Sequence, residues 1–428
     1  MFQSHARLSR NRRLDLKIIP GSICAPRGFK CASVFCDIKR LGTGKGSAKG
    51  RKDDLALIVS DVPATVAGMF TTNQVCAAPV KVSRKVATKK SARAIVANSG
   101  NANAATGRQG MRDAERMAEI AAKALSINRR DVLVCSTGRI GVPLPILNVE
   151  RGIRACAPLL ARSTSNSRAV AKAIMTSDTR RKEIAVECKI DNRGVRIGGI
   201  AKGAGMIQPG MATMLAFITS DIAIGSQKMK RALKIAVEQS FNRITVDGDM
   251  STNDSVIMLA NGLAGNVHVD LRKFQEALNF VCLELAKMIV RDGEGVSRFV
   301  TLHVRGARSD REAELVARAV ANSSLVRTSW CGGDPNWGRI LCALGYSKAK
   351  VNEAIVDVGY SRPNERKIIW GFRRGGEAEP LRKLAKIVAG KEFDIHVDLH
   401  LGRGEFTMFA SDLTEDYVTF NKGDLTGG

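Results

Sequence analysis

Apolar and β-branched residues gather along this chain in short runs bounded by glycine, asparagine and charged residues, the pattern of strands. Such runs stand at Leu55–Ser60, Ala94–Asn98, Val132–Cys135, Ile184–Cys188, Val256–Ala260 and Phe299–Val304. Between them the spacing of apolar residues changes to the helical period. Asp113–Leu125, Lys228–Gln239 and Leu271–Arg291 read as amphipathic helices, the last with Leu271, Phe274, Leu278, Val281, Leu285, Met288 and Ile289 on one stripe. A stripe of that kind is core surface. Strands interleaved with helices, and no tandem repeat, predict a layered α+β architecture and exclude a solenoid. Residues 41 to 52, rich in glycine and lysine, break the pattern and read as an exposed basic loop of linker composition. No Gly-Lys-Ser/Thr opens a helix there, so it is not a phosphate-binding loop.

Composition narrows the class. With 428 residues, 44% of them hydrophobic, the chain can bury one large core or two moderate ones. No run of about 18 apolar residues occurs, and Met1 to Leu16 carries arginines without the apolar centre of a signal peptide. An arginine-rich start also fits an organellar transit peptide, but Asp15 and the early onset of patterned sequence favour a cytoplasmic location. The ten cysteines lie in apolar contexts with no Cys-x-x-Cys and read as buried free thiols. His396 and His400 stand four apart, yet the alternation around them says strand, and no metal site is expected. The net charge of +26 raises nucleic-acid binding as a rival function. Aromatic residues are only 5% of the chain and are missing from the basic runs, so stacking platforms are not evident. A solvated basic surface that favours small anions is the simpler account, with neither nucleic acid nor membrane as partner.

The segment richest in chemistry is Lys202-Gly-Ala-Gly-Met-Ile-Gln-Pro-Gly-Met-Ala-Thr213-Met-Leu-Ala-Phe-Ile, where glycines and a proline precede a threonine that opens an apolar run. This composition imposes a tight turn just ahead of a buried strand. From these residues alone, Thr213 as the first residue of a central strand and Thr213 as a reactive group fit equally well. A second turn, Ser136-Thr137-Gly138, follows the strand Val132–Cys135 and reads most simply as an ordinary strand ending.

The first segment is similar to the self-cleavage signature of the ornithine acetyltransferase family of arginine biosynthesis, whose members cut themselves at an Ala-Thr bond. Further blocks resemble that family in order along nearly the whole chain: Asp61-Val-Pro-Ala-Thr, Asn98-Ser-Gly-Asn-Ala-Asn-Ala, Ser136-Thr-Gly-Arg-Ile-Gly, Met175-Thr-Ser-Asp-Thr, Ser240-Phe-Asn-Arg-Ile-Thr-Val-Asp-Gly-Asp, Arg291-Asp-Gly-Glu-Gly and Gly333-Asp-Pro-Asn-Trp-Gly-Arg-Ile. The resemblance implies a layered α-β-β-α sandwich, reached convergently with the N-terminal-nucleophile hydrolases. It implies cleavage between Ala212 and Thr213 into fragments 1–212 and 213–428, assembled as two of each. It also implies acetyl transfer from N-acetylornithine to glutamate through an acetyl-Thr213 enzyme. No cofactor is expected, and acetyl-CoA enters only as the second acetyl donor that some family members use.

Chemistry explains the choice of residue. The threonine hydroxyl attacks the Ala212 carbonyl, the acyl group shifts from nitrogen to oxygen, and hydrolysis of the ester frees a new α-amine. That amine, with a reference pKa of about 7.7 to 8.0, then serves as base to its own hydroxyl. By resemblance, Thr137 and Gly138 supply the oxyanion site, while Thr176, Lys202, Glu294, Asn421 and Thr426 contact substrate, with Thr179 as an alternative to Thr176. Lys202 suits a substrate carboxylate and Glu294 a cationic amine. The chain departs from the family at Ala105, where a cysteine is usual, at Arg180-Arg181, where an aromatic-proline pair is usual, and at Asn421 to Gly428, which lacks a tyrosine and runs on past Thr426. An aminopeptidase or amidase of the same superfamily, which uses serine as nucleophile, is the alternative enzyme.

Overall fold

The computed structural model describes residues 16–39, 52–208 and 214–422. In chain order the strands are β1 (Lys17–Ile18), β2 (Phe29–Val34), β3 (Leu55–Phe70), β4 (Ser91–Asn101), β5 (Val132–Arg139), β6 (Lys182–Ile190), β7 (Arg193–Lys202), β8 (Leu215–Ser220), β9 (Ile244–Thr245), β10 (Ser255–Ala260), β11 (Phe299–Ala307), β12 (Asp357–Ser361), β13 (Ile369–Arg373), β14 (Gly376–Glu377), β15 (Glu392–Asp398) and β16 (Gly404–Ser411). Every expected strand and helix is present, several with longer ends. The expected helix Asp113–Leu125, for example, begins at Gly107.

Nine of these strands form one sheet in the order β1-β6-β7-β8-β10-β3-β4-β5, with β2 also paired to β3. The 16-residue β3 turns this sheet back on itself. Its C-terminal part, Thr65–Phe70, pairs with β10, while Leu55–Val59 pairs with β2 and β4. Each folded half buries both faces, which is why its strands read as nearly unbroken apolar runs. In β8, Leu215 and Phe217 point into a core shared with Ile58, Ile95 and Leu133 of the other half. Ala216 and Ile218, one residue out of phase, instead meet Leu278, Val281 and Leu285 of the helix Leu271–Arg291. On the far side, Val96 and Val134 pack against Met117 and Ala121 of the helix Gly107–Leu125. Helix, sheet, sheet and helix thus stack as the α-β-β-α sandwich.

The second sheet, β14-β13-β12-β15-β11-β16-β9, was not separable by composition. One face carries a core of its own, in which Val300, Leu302 and Ile395 meet Val316, Val320 and Leu344 from helices. On the other face the His303 and His396 rings stack 5.0 Å apart. His396 lies on β15 as expected and bonds Ser361 Oγ at 2.9 Å, whereas His400 lies past the strand end and bonds Asp357 Oδ2 at 3.0 Å. The boundary between residues 212 and 213 is not a domain boundary, because β7 and β8 on either side of it are neighbours in the first sheet. The basic loop expected at 41–52 lies outside the described residues except for Lys52. Of the ten cysteines six are buried, three half-buried and one, Cys342, is exposed.

Candidate active site

Four strand ends converge where the chemistry was expected. Lys202 closes β7, opposite Leu215 at the start of β8, which is itself opposite Ser255 at the start of β10. Ala212, Thr213 and Thr426 lie outside the described residues, so the site is defined by its surroundings. Met214, directly after Thr213, donates its N–H to Asp254 Oδ1 at 2.9 Å, and its carbonyl accepts from Ser255 N at 3.0 Å.

The turn expected at Ser136-Thr137-Gly138 is not a turn. β5 continues to Arg139, because its parallel ladder with β4 runs past Cys135 and becomes irregular only at Gly100 and Asn101. Gly138 has φ 133, and a Cβ there would stand 2.2 Å from the carbonyl carbon of Gly100, so only glycine allows this approach. Asn253 Nδ2 ties the strand end to the start of β10 by donating to Ser136 O at 2.8 Å and Ala102 O at 2.6 Å. Thr137 is 5% exposed and accepts from Lys202 Nζ at 3.2 Å.

Lys202 is 3% exposed. Burial lowers its pKa, and the charges of Asp178, Glu294 and Asp254 oppose that change. Asp178 links it to the Met-Thr-Ser-Asp-Thr block. Oδ1 of Asp178 accepts from Gly203 N at 2.7 Å and from Lys182 Nζ at 2.6 Å, and Oδ2 accepts from Thr176 N at 3.0 Å. Burial alone would raise the Asp178 pKa, but Lys202 and Lys182 outweigh it and hold the carboxyl at about 2. Lys182 also donates to Asp292 Oδ2 at 2.5 Å. Thr179, the alternative to Thr176, gives its amide and hydroxyl to Asp292.

Glu294 sits beside the same turn. Its N–H donates to Ala204 O at 2.9 Å, and its carboxylate lies so close over Gly205 that a Cβ there would meet it at 2.6 Å. Asn421 Nδ2 donates to Glu294 Oε2 at 3.0 Å. Thr137, Thr176, Lys202, Glu294 and Asn421, far apart in sequence, thus form one linked set, with Gly138 beside Thr137. The sequence reading missed Asp178, Lys182, Asp292, Asp247, Asn253 and Asp254. Three of these acids lay inside blocks already quoted, and a buried acid before an apolar run was the available signal for Asp254. At the departures from the family pattern, Ala105 adopts φ 53 and Arg180 N donates to Asp292 at 3.1 Å.

Comparison with known proteins places this arrangement. The ArgJ family model matches residues 39–424. The arginine biosynthesis bifunctional protein ArgJ of Geobacter sulfurreducens is 46% identical over 400 residues, covering 92% of this chain and 98% of that protein. The glutamate N-acetyltransferase of Methanocaldococcus jannaschii is 44% identical over 413 residues, covering 95% and 99%. The solved ornithine acetyltransferase of Mycobacterium tuberculosis in complex with ornithine is 35% identical, with a TM-score of 0.41, over 45% of this chain and 98% of that one. Family membership agrees with the expected cytoplasmic location and supports acetyl transfer over the amidase reading. The chain belongs to the ArgJ family, the self-cleaving, N-terminal-nucleophile acetyltransferases of arginine biosynthesis that move an acetyl group between N-acetylornithine and glutamate through a threonine.

Proposed function

We propose that Thr213 is the residue of this chain that both cuts the Ala212–Thr213 bond and then carries the acetyl group. Its hydroxyl oxygen bonds to the Ala212 carbonyl carbon, the carbon–nitrogen bond breaks, and the freed nitrogen takes the hydroxyl proton. Water then hydrolyses the ester. In transfer, the new amine takes the proton as the hydroxyl attacks the acetyl carbonyl of N-acetylornithine, ornithine leaves, and glutamate accepts the acetyl group.

One observation carries the assignment of the oxyanion site to Thr137 and Gly138. An ammonium can only donate, so in the bond from Lys202 Nζ the Thr137 oxygen is the acceptor. The single hydroxyl proton of Thr137 is thereby left to donate, which is what a developing oxyanion needs. The Lys202 ammonium has further donors for a substrate carboxylate. Glu294, oriented by Asn421, takes the cationic end of ornithine, and Thr176 and Thr426 complete the substrate contacts. The mature enzyme is an assembly of fragments 1–212 and 213–428, two of each.

Donor and acceptor use one pocket in turn, so initial-rate plots with N-acetylornithine and glutamate should give parallel lines, and the 213–428 fragment should become acetylated at Thr213. Intersecting lines without an acetyl-enzyme would mean direct transfer in a ternary complex.

A further inference from the structure

The segment around the cut is held on both sides by carboxylates from one stretch of chain, between β9 and β10. Upstream, Asp247 Oδ2 accepts from Met206 N at 2.6 Å and Oδ1 from Ile207 N at 2.8 Å, while Val246 N donates to Ile207 O at 2.9 Å. Met206 is held there at φ 53, a left-handed conformation that a non-glycine residue adopts only when its surroundings impose it. Downstream, Asp254 is 1% exposed and its Oδ1 accepts the Met214 N–H. Oδ2 of Asp254 has no hydrogen-bond partner among the described residues. The nearby Thr71 donates its amide to the Asp254 main-chain oxygen and its hydroxyl to Ser251 O at 2.7 Å. The bond from Met214 to the Asp254 side chain falls on the amide directly after Thr213.

We infer that Asp254 is a positioning residue for self-cleavage: through the Met214 amide it fixes the backbone next to the Thr213 hydroxyl, while Asp247 fixes the chain ahead of the cut. The inference rests on Thr213 as the cleaving residue. An intramolecular attack gains its rate from holding nucleophile and carbonyl in contact, and a misplacement of about 1 Å costs roughly 10²-fold. With only one end anchored, a turn rich in glycine would spread over many conformations. Burial pushes the Asp254 carboxyl well above its ordinary range, against the pull of the Met214 amide, the Thr71 hydroxyl and Lys202. The Met214 amide is held by Oδ1, an acceptor that asparagine keeps in the same place.

The test follows self-cleavage in freshly purified full chain by denaturing gel and intact mass, with thermal melting as the fold control. Asp254→Asn should cleave within a few-fold of wild type, and Asp254→Ala should cleave roughly 10²-fold more slowly at a similar melting temperature. Asp254→Glu, which moves the carboxyl by one methylene, replaces the alanine variant if that one does not fold, and it should also be slow. An alanine or glutamate variant as fast as wild type would falsify the inference, as would an asparagine variant as slow as alanine. A wild-type chain that never cleaves would instead strike at the role of Thr213.

Discussion

Lys202 and Asp178 show how a buried charge is kept and used. Both side chains are buried; Asp178 is tolerable because Lys202 and Lys182 stand close by, and Lys202 because Asp178, Glu294 and Asp254 offset its burial against the like charge of Lys182. This charge set places the Lys202 ammonium against Thr137, so removing the Thr137 hydroxyl should remove one oxyanion donor and leave the fold in place. Thr137→Ala is expected to slow transfer by roughly 10²- to 10³-fold, with little change in KM, measured on protein confirmed as folded. Equal rates in variant and wild type would make Thr137 a strand-end residue only. The Asp178 carboxyl also has a signature in pH. Its pKa falls from 3.8 to about 2 on folding, so the folded state binds fewer protons between those values. Its stabilising contribution is complete above pH 3.8 and is lost as pH falls toward 2. Asp178→Asn should therefore flatten the acid limb of a stability-versus-pH curve, and an unchanged slope would mean the charge is not held as described.

At the scale of elements, the C-terminal end of the helix Leu271–Arg291 carries one side of the site. It buries Phe274, Leu278, Val281, Leu285 and Ile289 against the first sheet, and its C-terminal end leads through Asp292 to Glu294. Its N-terminus is capped by Asp270, whose side chain accepts from Arg272 N and Lys273 N. Losing that cap should cost about 1 kcal/mol. Asp270→Ala is therefore expected to lower the unfolding midpoint in urea while leaving kcat and KM unchanged, because the cap lies at the far end of the helix from Glu294. A fall in activity at unchanged stability would contradict this separation. Asp292, just past the helix C-terminus and unfavourable beside the helix dipole, is compensated by Lys182 together with the amides of Thr179 and Arg180. The helix end is thus a junction joining the Thr176 loop to the Glu294 turn.

For the molecule as a whole, the decisive fact is that the proposed cut lies between two strands paired along their length. Residues Ile197 to Lys202 of β7 pair with Leu215 to Ser220 of β8, and both strands bury each face. Breaking one peptide bond between them removes no ladder hydrogen bond and exposes no core. The fragments should therefore copurify and separate only on denaturation, while Thr213→Ala should give a single chain of 46.1 kDa. Dissociation of the fragments under native conditions would be incompatible with this sheet. The second sheet lies entirely after residue 213, so the cut falls between neighbouring strands of the first, while Asn421 joins the site from the helix that follows β16.

The six strand runs and three helices that periodicity named are all in place, because a strand buried on both faces and a helix buried on one leave clear spacings. The motif blocks identified the family and nominated Thr137, Lys202 and Glu294, since reacting groups are constrained one residue at a time. Spacing could not reveal that β3 folds one sheet into two layers, since that depends on which strands pair. Nor could it reveal that Ser136-Thr137-Gly138 continues a strand, since an adjacent β4 supplies the ladder. The charged network stayed hidden for a related reason. Asp178, Lys182, Asp247, Asp254 and Asp292 look like surface acids and a surface lysine in a linear chain, and only tertiary structure half-buries Asp247, buries the others and gives each its partner. The amino-acid sequence by itself determined the elements and the chemical type of the site. Tertiary structure decided which side chains meet, because contacts between residues a hundred positions apart depend on the folded path of the chain.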